Sequence, residues 1–179
     1  MLAYLRTSTP LMQQIQACDI RSVQYLCRLP NRDLLTRISL KISFTADGWL
    51  YITLLPVIIL IIKPAQAREY LDLAVTAFTL ERLLYYLFKN TIKRQRPPAA
   101  IDGFRAVITA SDRFSLPSGH TSAAFLTITF LCFAISPLFL PLYLWAASVG
   151  MSRIVLGVHF PSDILLGALL GSSIALIVV

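Results

Sequence analysis

The sequence predicts an all-α protein: an integral membrane helical bundle of about five transmembrane helices, preceded by N-terminal amphipathic interfacial helices. Three observations predict it. The 179-residue chain is 56% hydrophobic and 14% charged, whereas a soluble domain is nearer half apolar and a quarter charged. Its mean hydropathy is +0.70. The apolar residues gather into runs close to the ~20 residues a helix needs to cross the hydrocarbon core. Polar stretches separate these runs, and no repeat or low-complexity tract interrupts them. This length holds one compact bundle, divided into an N-terminal interfacial segment, 1–45, and a transmembrane domain, 46–179.

Taken in order, Leu11 to Leu29 has apolar positions at helical spacing (Leu11, Ile15, Cys18) among Gln, Asp and Arg. Pro30-Asn31 ends it, and Asn31 is a candidate cap for a second helix carrying Leu34, Leu35, Ile38 and Ile42 on one side. Ile38, Leu40, Ile42 and Phe44 also alternate, which is compatible with a strand. Beside a bundle, helices lying on the membrane surface fit better. The first span runs from about Gly48 to Ile62, with Trp49 and Tyr51 as interface anchors. The second runs from about Tyr70 to Asn90 and carries Glu81 and Arg82 at mid-depth, read as structural polar contacts. Residues 91–116 form a long polar loop, a length that usually signals function. The third span covers about Ser118 to Ser136 and the fourth about Leu138 to Leu156. The fifth runs from Pro161 to Val179 and contains Gly167-x3-Gly171, a spacing that permits close helix packing but also arises by chance in apolar runs.

Charge and cysteine content narrow the function. The net charge of +7 suits anionic lipid or an anionic substrate. Nucleic acid is disfavoured, because much of the charge lies beside apolar spans. Cys18, Cys27 and Cys132 have no metal-ligand spacing and read as small hydrophobes. The first residues lack the pattern of a secretory signal. No carboxylate cluster suggests a metal site, and no cofactor is expected.

Ionisable residues at membrane depth are costly and mark functional sites. Arg153, His159 and Asp163 lie in the strongly apolar stretch from Gly150 to Gly167. His159 and Asp163 are four apart, so a helix starting near Pro161 lets the carboxylate reach back to the imidazole. That bond fixes one ring nitrogen and frees the other as a nucleophile. The chain has one other histidine, His120, in Pro117-Ser118-Gly119-His120, where Pro, a hydroxyl and Gly at a helix start make an anion cradle. Lys89 and Arg96 are seven residues apart, two helical turns, and can share a face. Five spans bring all of these residues to one side of the membrane, and one misplaced span would scatter them. Ser152 reads as a packing residue, and Lys93, Arg94, Arg105 and Arg113 as loop charges near headgroups.

These three clusters, Lys89-x6-Arg96-Pro97, Pro117-Ser118-Gly119-His120 and Ser152-Arg153-x5-His159-x3-Asp163, resemble the signature motifs of the type 2 phosphatidic acid phosphatase superfamily, in its membrane lipid phosphatase branch. Every fixed position is matched, in the usual order, over about residues 48–179. The resemblance implies that His159 attacks phosphorus to form a phosphohistidine, and that Asp163 orients His159 and stabilises its charge. It implies that His120 protonates the leaving oxygen and then activates water. Lys89, Arg96 and Arg153 would neutralise the non-bridging oxygens, helped by Ser118 and Gly119. The expected activity is metal-independent hydrolysis of a terminal phosphate from a membrane lipid phosphate or pyrophosphate, of the phosphatidic acid, phosphatidylglycerophosphate or undecaprenyl pyrophosphate type.

Phosphotransfer to another lipid is the second enzymatic reading, and a non-catalytic scaffold the reading from another class. A vanadate-dependent haloperoxidase would share the oxyanion site, but those enzymes are soluble. The resemblance implies a bacterial inner-membrane protein with its site facing away from the cytoplasm. The positive-inside rule points the other way, through Arg6, Arg21, Arg28, Arg32, Arg37 and Lys41.

Overall fold

The computed structural model describes residues 10–179; Arg6 and the rest of the first nine residues of the 1–45 segment lie outside the described residues. The described residues form helices joined by turns and one long loop, and contain no strand. Helix α1 spans Pro10–Cys27, α2 Arg32–Phe44, α3 Gly48–Ile62, α4 Ala67–Ile92, the one-turn α5 Pro97–Ala100, α6 Gly119–Phe130, α7 Tyr143–Val155 and α8 Pro161–Val178. A π-helical turn, Leu131–Ile135, extends α6, and a 3-10 segment, Pro137–Leu142, leads into α7. The alternation at 38–44 is therefore helical. Asn31 precedes α2 with φ 65° and makes no side-chain cap; its amide is not the helix-starting acceptor that its residue type suggested.

Two helical stretches are long and apolar enough to cross a membrane alone, Pro137–Val155 and Pro161–Val178. A third candidate is the pair α2 and α3, bent by 54° at the residues between them, where the 45/46 boundary falls. The apolar segment Gly119–Ile135 is shorter. Helix α4, at 26 residues, is about 39 Å long at 1.5 Å per residue. It carries Asp72, Glu81, Arg82 and Lys89, so it owes its place to packing and internal pairing. Glu81 is fully buried and accepts from Arg82 Nε at 2.5 Å and Nη2 at 2.6 Å. Wide apolar faces of α3, α4 and α8 remain exposed on the bundle surface, as lipid-facing helices require.

The bundle centres on α6, which is buried on nearly every side and packs most extensively against α8. Glycine makes that approach possible. A Cβ on Gly167 would stand 2.7 Å from the Ser118 carbonyl oxygen, and one on Gly171 would collide with that of Ser122. The Gly167-x3-Gly171 pair is thus a packing seam. It sets the start of α6, with Ser118 and His120, beside the start of α8, with Asp163. The Ser118 N–H donates to the Asp163 carbonyl at 3.1 Å across this seam.

Candidate active site

Four elements deliver the motif residues to one end of the bundle. Helix α4 ends with Lys89, and the chain leaves it through Arg94 and Arg96. Helix α6 begins with Gly119 and His120, α7 ends with Arg153, and α8 begins with Asp163 two residues after Pro161. Proline at a helix start costs no hydrogen bond, and the Asp163 carboxylate accepts the Phe160 N–H at 2.8 Å. This local bond caps α8, and the same oxygen, Oδ2, faces His159.

His159 sits in the loop between α7 and α8 and is nearly fully buried. Its Nδ1 faces Asp163 Oδ2 at 3.5 Å, an ion-pair distance without hydrogen-bond geometry. Its Nε2 lies 3.2 Å from Arg96 Nη1. The same Arg96 nitrogen donates to the Val158 carbonyl at 2.6 Å, fixing the guanidinium beside the ring. Burial, reinforced by Arg96 and Arg153, pulls the His159 imidazole down to about 4 against the opposing pull of Asp163. The ring is neutral at pH 7, with a lone pair available.

His120 is less enclosed, and its Nε2 approaches Asp47 Oδ1 at 3.2 Å. Arg153 donates from Nη1 to Ser43 Oγ at 2.6 Å, while its buried Nε has no hydrogen-bond partner among the described residues. Ser118 Oγ shares a 2.9 Å hydrogen bond with Thr121 Oγ1. Gly119 comes so close to Tyr85 that a Cβ would stand 3.0 Å from its ring. The first N–H groups of α6 have no intrahelical acceptors.

Lys89 and Arg96 converge on a residue the sequence did not single out. Asp112, in the long loop, accepts from Lys89 Nζ at 2.8 Å, from Tyr85 Oη at 2.5 Å and from Arg96 Nη2. Partial burial disfavours the Asp112 carboxylate, but its bonds to Lys89, Tyr85 and Arg96 outweigh this and hold it well below the usual carboxylate range. The loop itself is pinned: Val107 N–H donates to the Leu156 carbonyl at 3.0 Å, and Phe104 lies against Gly157. Gly157 has φ +78°, and a Cβ there would meet the Phe104 ring at 2.9 Å.

Arg94 is a correction to the sequence reading. It is not a loop charge near headgroups but is buried, donating to Asp163 Oδ1 at 2.7 Å, Asp19 Oδ2 at 2.6 Å, Gln16 Oε1 at 2.6 Å and Ser162 Oγ at 2.6 Å. Burial works against its charge, yet Asp163 and Asp19 raise its pKa above the ordinary arginine value. Asp19, Asp47 and Asp112 all went unassigned from sequence. The available signal was scarcity: the chain has only nine carboxylates, and four of them meet at this end of the bundle. Among the described residues no three His, Cys, Asp or Glu gather as a metal-binding group.

The chain is similar to known proteins in sequence and in fold. The chain is 34% identical over 133 residues to decaprenylphosphoryl-5-phosphoribose phosphatase of Mycobacterium tuberculosis, covering 73% of this chain and 70% of that one. It is 32% identical over 141 residues to the bacitracin transport permease protein BcrC of Bacillus licheniformis, covering 76% and 68%. The fold superposes on a transmembrane PAP2-type phosphatidylglycerolphosphate phosphatase of Bacillus subtilis with TM-score 0.71 at 23% identity, over 97% of this chain and 87% of that one. It superposes on LpxE of Aquifex aeolicus with TM-score 0.74 at 24% identity, over 90% and 94%. A family model of the PAP2 superfamily matches residues 70–179, the span that contains all three motifs; the chain belongs to the PAP2 superfamily, among its membrane lipid phosphatases.

Proposed function

We propose that this protein hydrolyses the terminal phosphate of a membrane lipid phosphate or pyrophosphate through a phosphohistidine on His159, without a metal ion. The observation that carries the reading is the environment of the His159 ring. Its Nε2 adjoins Arg96, and Asp163 stands behind Nδ1. A proton on Nδ1, facing the carboxylate, leaves the Nε2 lone pair directed toward the cations. Arg96 holds that lone pair in the unliganded protein, and an incoming phosphate would draw the guanidinium away and expose it.

In the first step the Nε2 lone pair of His159 forms a bond to phosphorus as the phosphorus–oxygen bond to the lipid breaks. His120 gives its proton to the departing oxygen. Asp47 approaches the same ring at 3.2 Å. Asp163 balances the positive charge that develops on His159. Lys89, Arg96 and Arg153 take up the non-bridging oxygens, and the unpartnered Arg153 Nε is a donor free for one of them. Electrostatic stabilisation of this kind is usually the largest catalytic term. In the second step His120 removes a proton from water, the water oxygen attacks phosphorus, and the phosphorus–nitrogen bond breaks to release phosphate and neutral His159.

The lipid tail stays in the bilayer while the headgroup reaches the end of the bundle. A similar protein named as a decaprenylphosphoryl-5-phosphoribose phosphatase adds a polyprenyl-linked phosphate to the substrate classes named above. We place the protein in a bacterial inner membrane with this end outside the cytoplasm. The decisive experiment is phosphate release by purified protein in detergent, from several lipid phosphates, with EDTA present. Turnover that persists in EDTA and vanishes in His159→Ala supports the reading; Mg²⁺-reversible loss in EDTA overturns it.

A further inference from the structure

Helix α1 lies outside the region matched by the family, yet it reaches the centre of the site. Its inward stripe is Asp19, Ile20, Val23 and Leu26, at helical spacing. Val23 is fully buried with Phe160 and Ile154, next to the catalytic loop, and Ile20 and Leu26 pack around them. Arg94 stacks over the Phe160 ring with its guanidinium 4.5 Å from the centroid. Asp19 is 4% exposed. Its Oδ1 accepts the Ser162 N–H at 3.1 Å, an N–H of the first turn of α8 with no intrahelical acceptor. Its Oδ2 accepts from Ser162 Oγ at 2.5 Å and from Arg94. Arg94 in turn bonds Asp163 through its other terminal nitrogen. The result is one continuous line: Asp19, Arg94, Asp163, His159.

We propose that Asp19 is a positioning residue for the phosphoryl-transfer step, acting on His159 through Arg94 and Asp163. The inference rests on the phosphohistidine reading above. Charge balance at short range assigns it this role. Asp163 must stay negative and available to His159 as the ring becomes cationic. Arg94, 2.7 Å from the same carboxylate, competes for it in a buried setting where unit charges interact strongly. Asp19 answers the Arg94 charge on the opposite side of the guanidinium. Asp19, Arg94 and Asp163 together then carry one net negative charge, and that charge is left for His159. Without Asp19 the group is neutral and the imidazolium loses its counter-charge. The bonds from Asp19 to Ser162 also fix the turn of α8 on which Asp163 stands.

The charged groups that act on His159 are Asp163 of α8, Arg96 at the exit of α4 and Arg153 of α7. Of these only Asp163 pairs with Arg94, so leaving Asp163 its charge for His159 requires a second carboxylate on Arg94, which is Asp19.

The test uses the full chain in detergent. In Asp19→Asn, kcat for p-nitrophenyl phosphate and the rate of phosphoprotein formation fall about 10- to 100-fold, the range seen when a buried partner of a functional histidine is removed. KM and inhibition by vanadate stay within about threefold, because the cations that bind phosphate are untouched. The double variant Asp19→Asn with Arg94→Gln recovers kcat several-fold over Asp19→Asn, because removing both charges restores the net negative charge at Asp163. Val23→Ala, which weakens only the apolar seat of α1, lowers the melting temperature without this kcat loss. An Asp19→Asn protein with wild-type kcat overturns the proposal. So does a double variant slower than the single one, which is what a purely structural role requires. A wild-type protein that turns over without any phosphoprotein overturns instead the phosphohistidine reading, which separates the two failures.

Discussion

Replacing Asp112 by alanine removes the anion that Lys89 and Arg96 hold. Substrate phosphate must take the same cations, so the carboxylate and the phosphate compete. A hydrogen bond to a charged group contributes about 1.5–3 kcal/mol when well buried. The Asp112 side chain is 33% exposed, and exposed ion pairs contribute about 0–1 kcal/mol. The three contacts to Lys89, Tyr85 and Arg96 together therefore hold Asp112 by about 1–2 kcal/mol. Asp112→Ala should bind vanadate about 5- to 30-fold more tightly. The same change removes internal bonds, so the melting temperature without ligand falls while the stabilisation by vanadate grows. The folded-state pKa of Asp112 lies below its unfolded value, so its bonds are fully present above about pH 4 and are lost as pH falls below that. The gain in affinity is accordingly constant from pH 5 to 7. The assay is vanadate inhibition of p-nitrophenyl phosphate hydrolysis, paired with thermal melts. Unchanged or weaker vanadate inhibition in a folded Asp112→Ala protein would refute the competition, and Asp112 would then be a fixed part of the cradle.

Other expectations follow from the same geometry. Asp163→Asn keeps the helix start but removes the counter-charge of His159, so kcat falls by about 100-fold or more with the chain still folded; steady-state kinetics with size-exclusion chromatography checks this. His159→Ala traps no acid-labile, base-stable phosphate from labelled substrate, whereas His120→Ala still forms some phosphohistidine from p-nitrophenyl phosphate and hydrolyses it slowly. Trapping on His159→Ala and none on His120→Ala would reverse the two roles. Gly171→Ala forces α6 and α8 apart and costs about 1–3 kcal/mol, while Gly48→Ala, with open space around it, leaves the melting temperature unchanged. His159 has a folded-state pKa of about 4 against an ordinary 6.5, so the unfolded chain binds more protons between those values. Its contribution to stability is complete above about pH 6.5 and is lost as pH falls toward 4; the melting temperature of the wild type should drop more from pH 7 to 4.5 than that of His159→Asn.

Two kinds of information built this site. The sequence alone determined the membrane-embedded helical class, because composition and apolar runs are set by the solvent the chain must face. It also carried the three motifs and the order of apolar stretches that sends them to one end, because their spacing follows helical period. Gly167 and Gly171 were visible as a spacing, but only the approach of α6 to α8 made them a seam. The carboxylates were not legible in this way. Asp19, Asp47 and Asp112 lie far along the chain from Ser162, His120 and Lys89, and no local period relates them to those partners. Arg94 looked like a solvated loop charge because its immediate neighbours are polar and cationic. Its burial depends on α1 folding back over the start of α8. Charge pairing across a bundle is decided by which helices touch. For that reason the motif cations, the imidazoles and Asp163 could be singled out from the chain, while Asp19, Asp47, Asp112 and the pairing of Arg94 appeared only once the helices were packed.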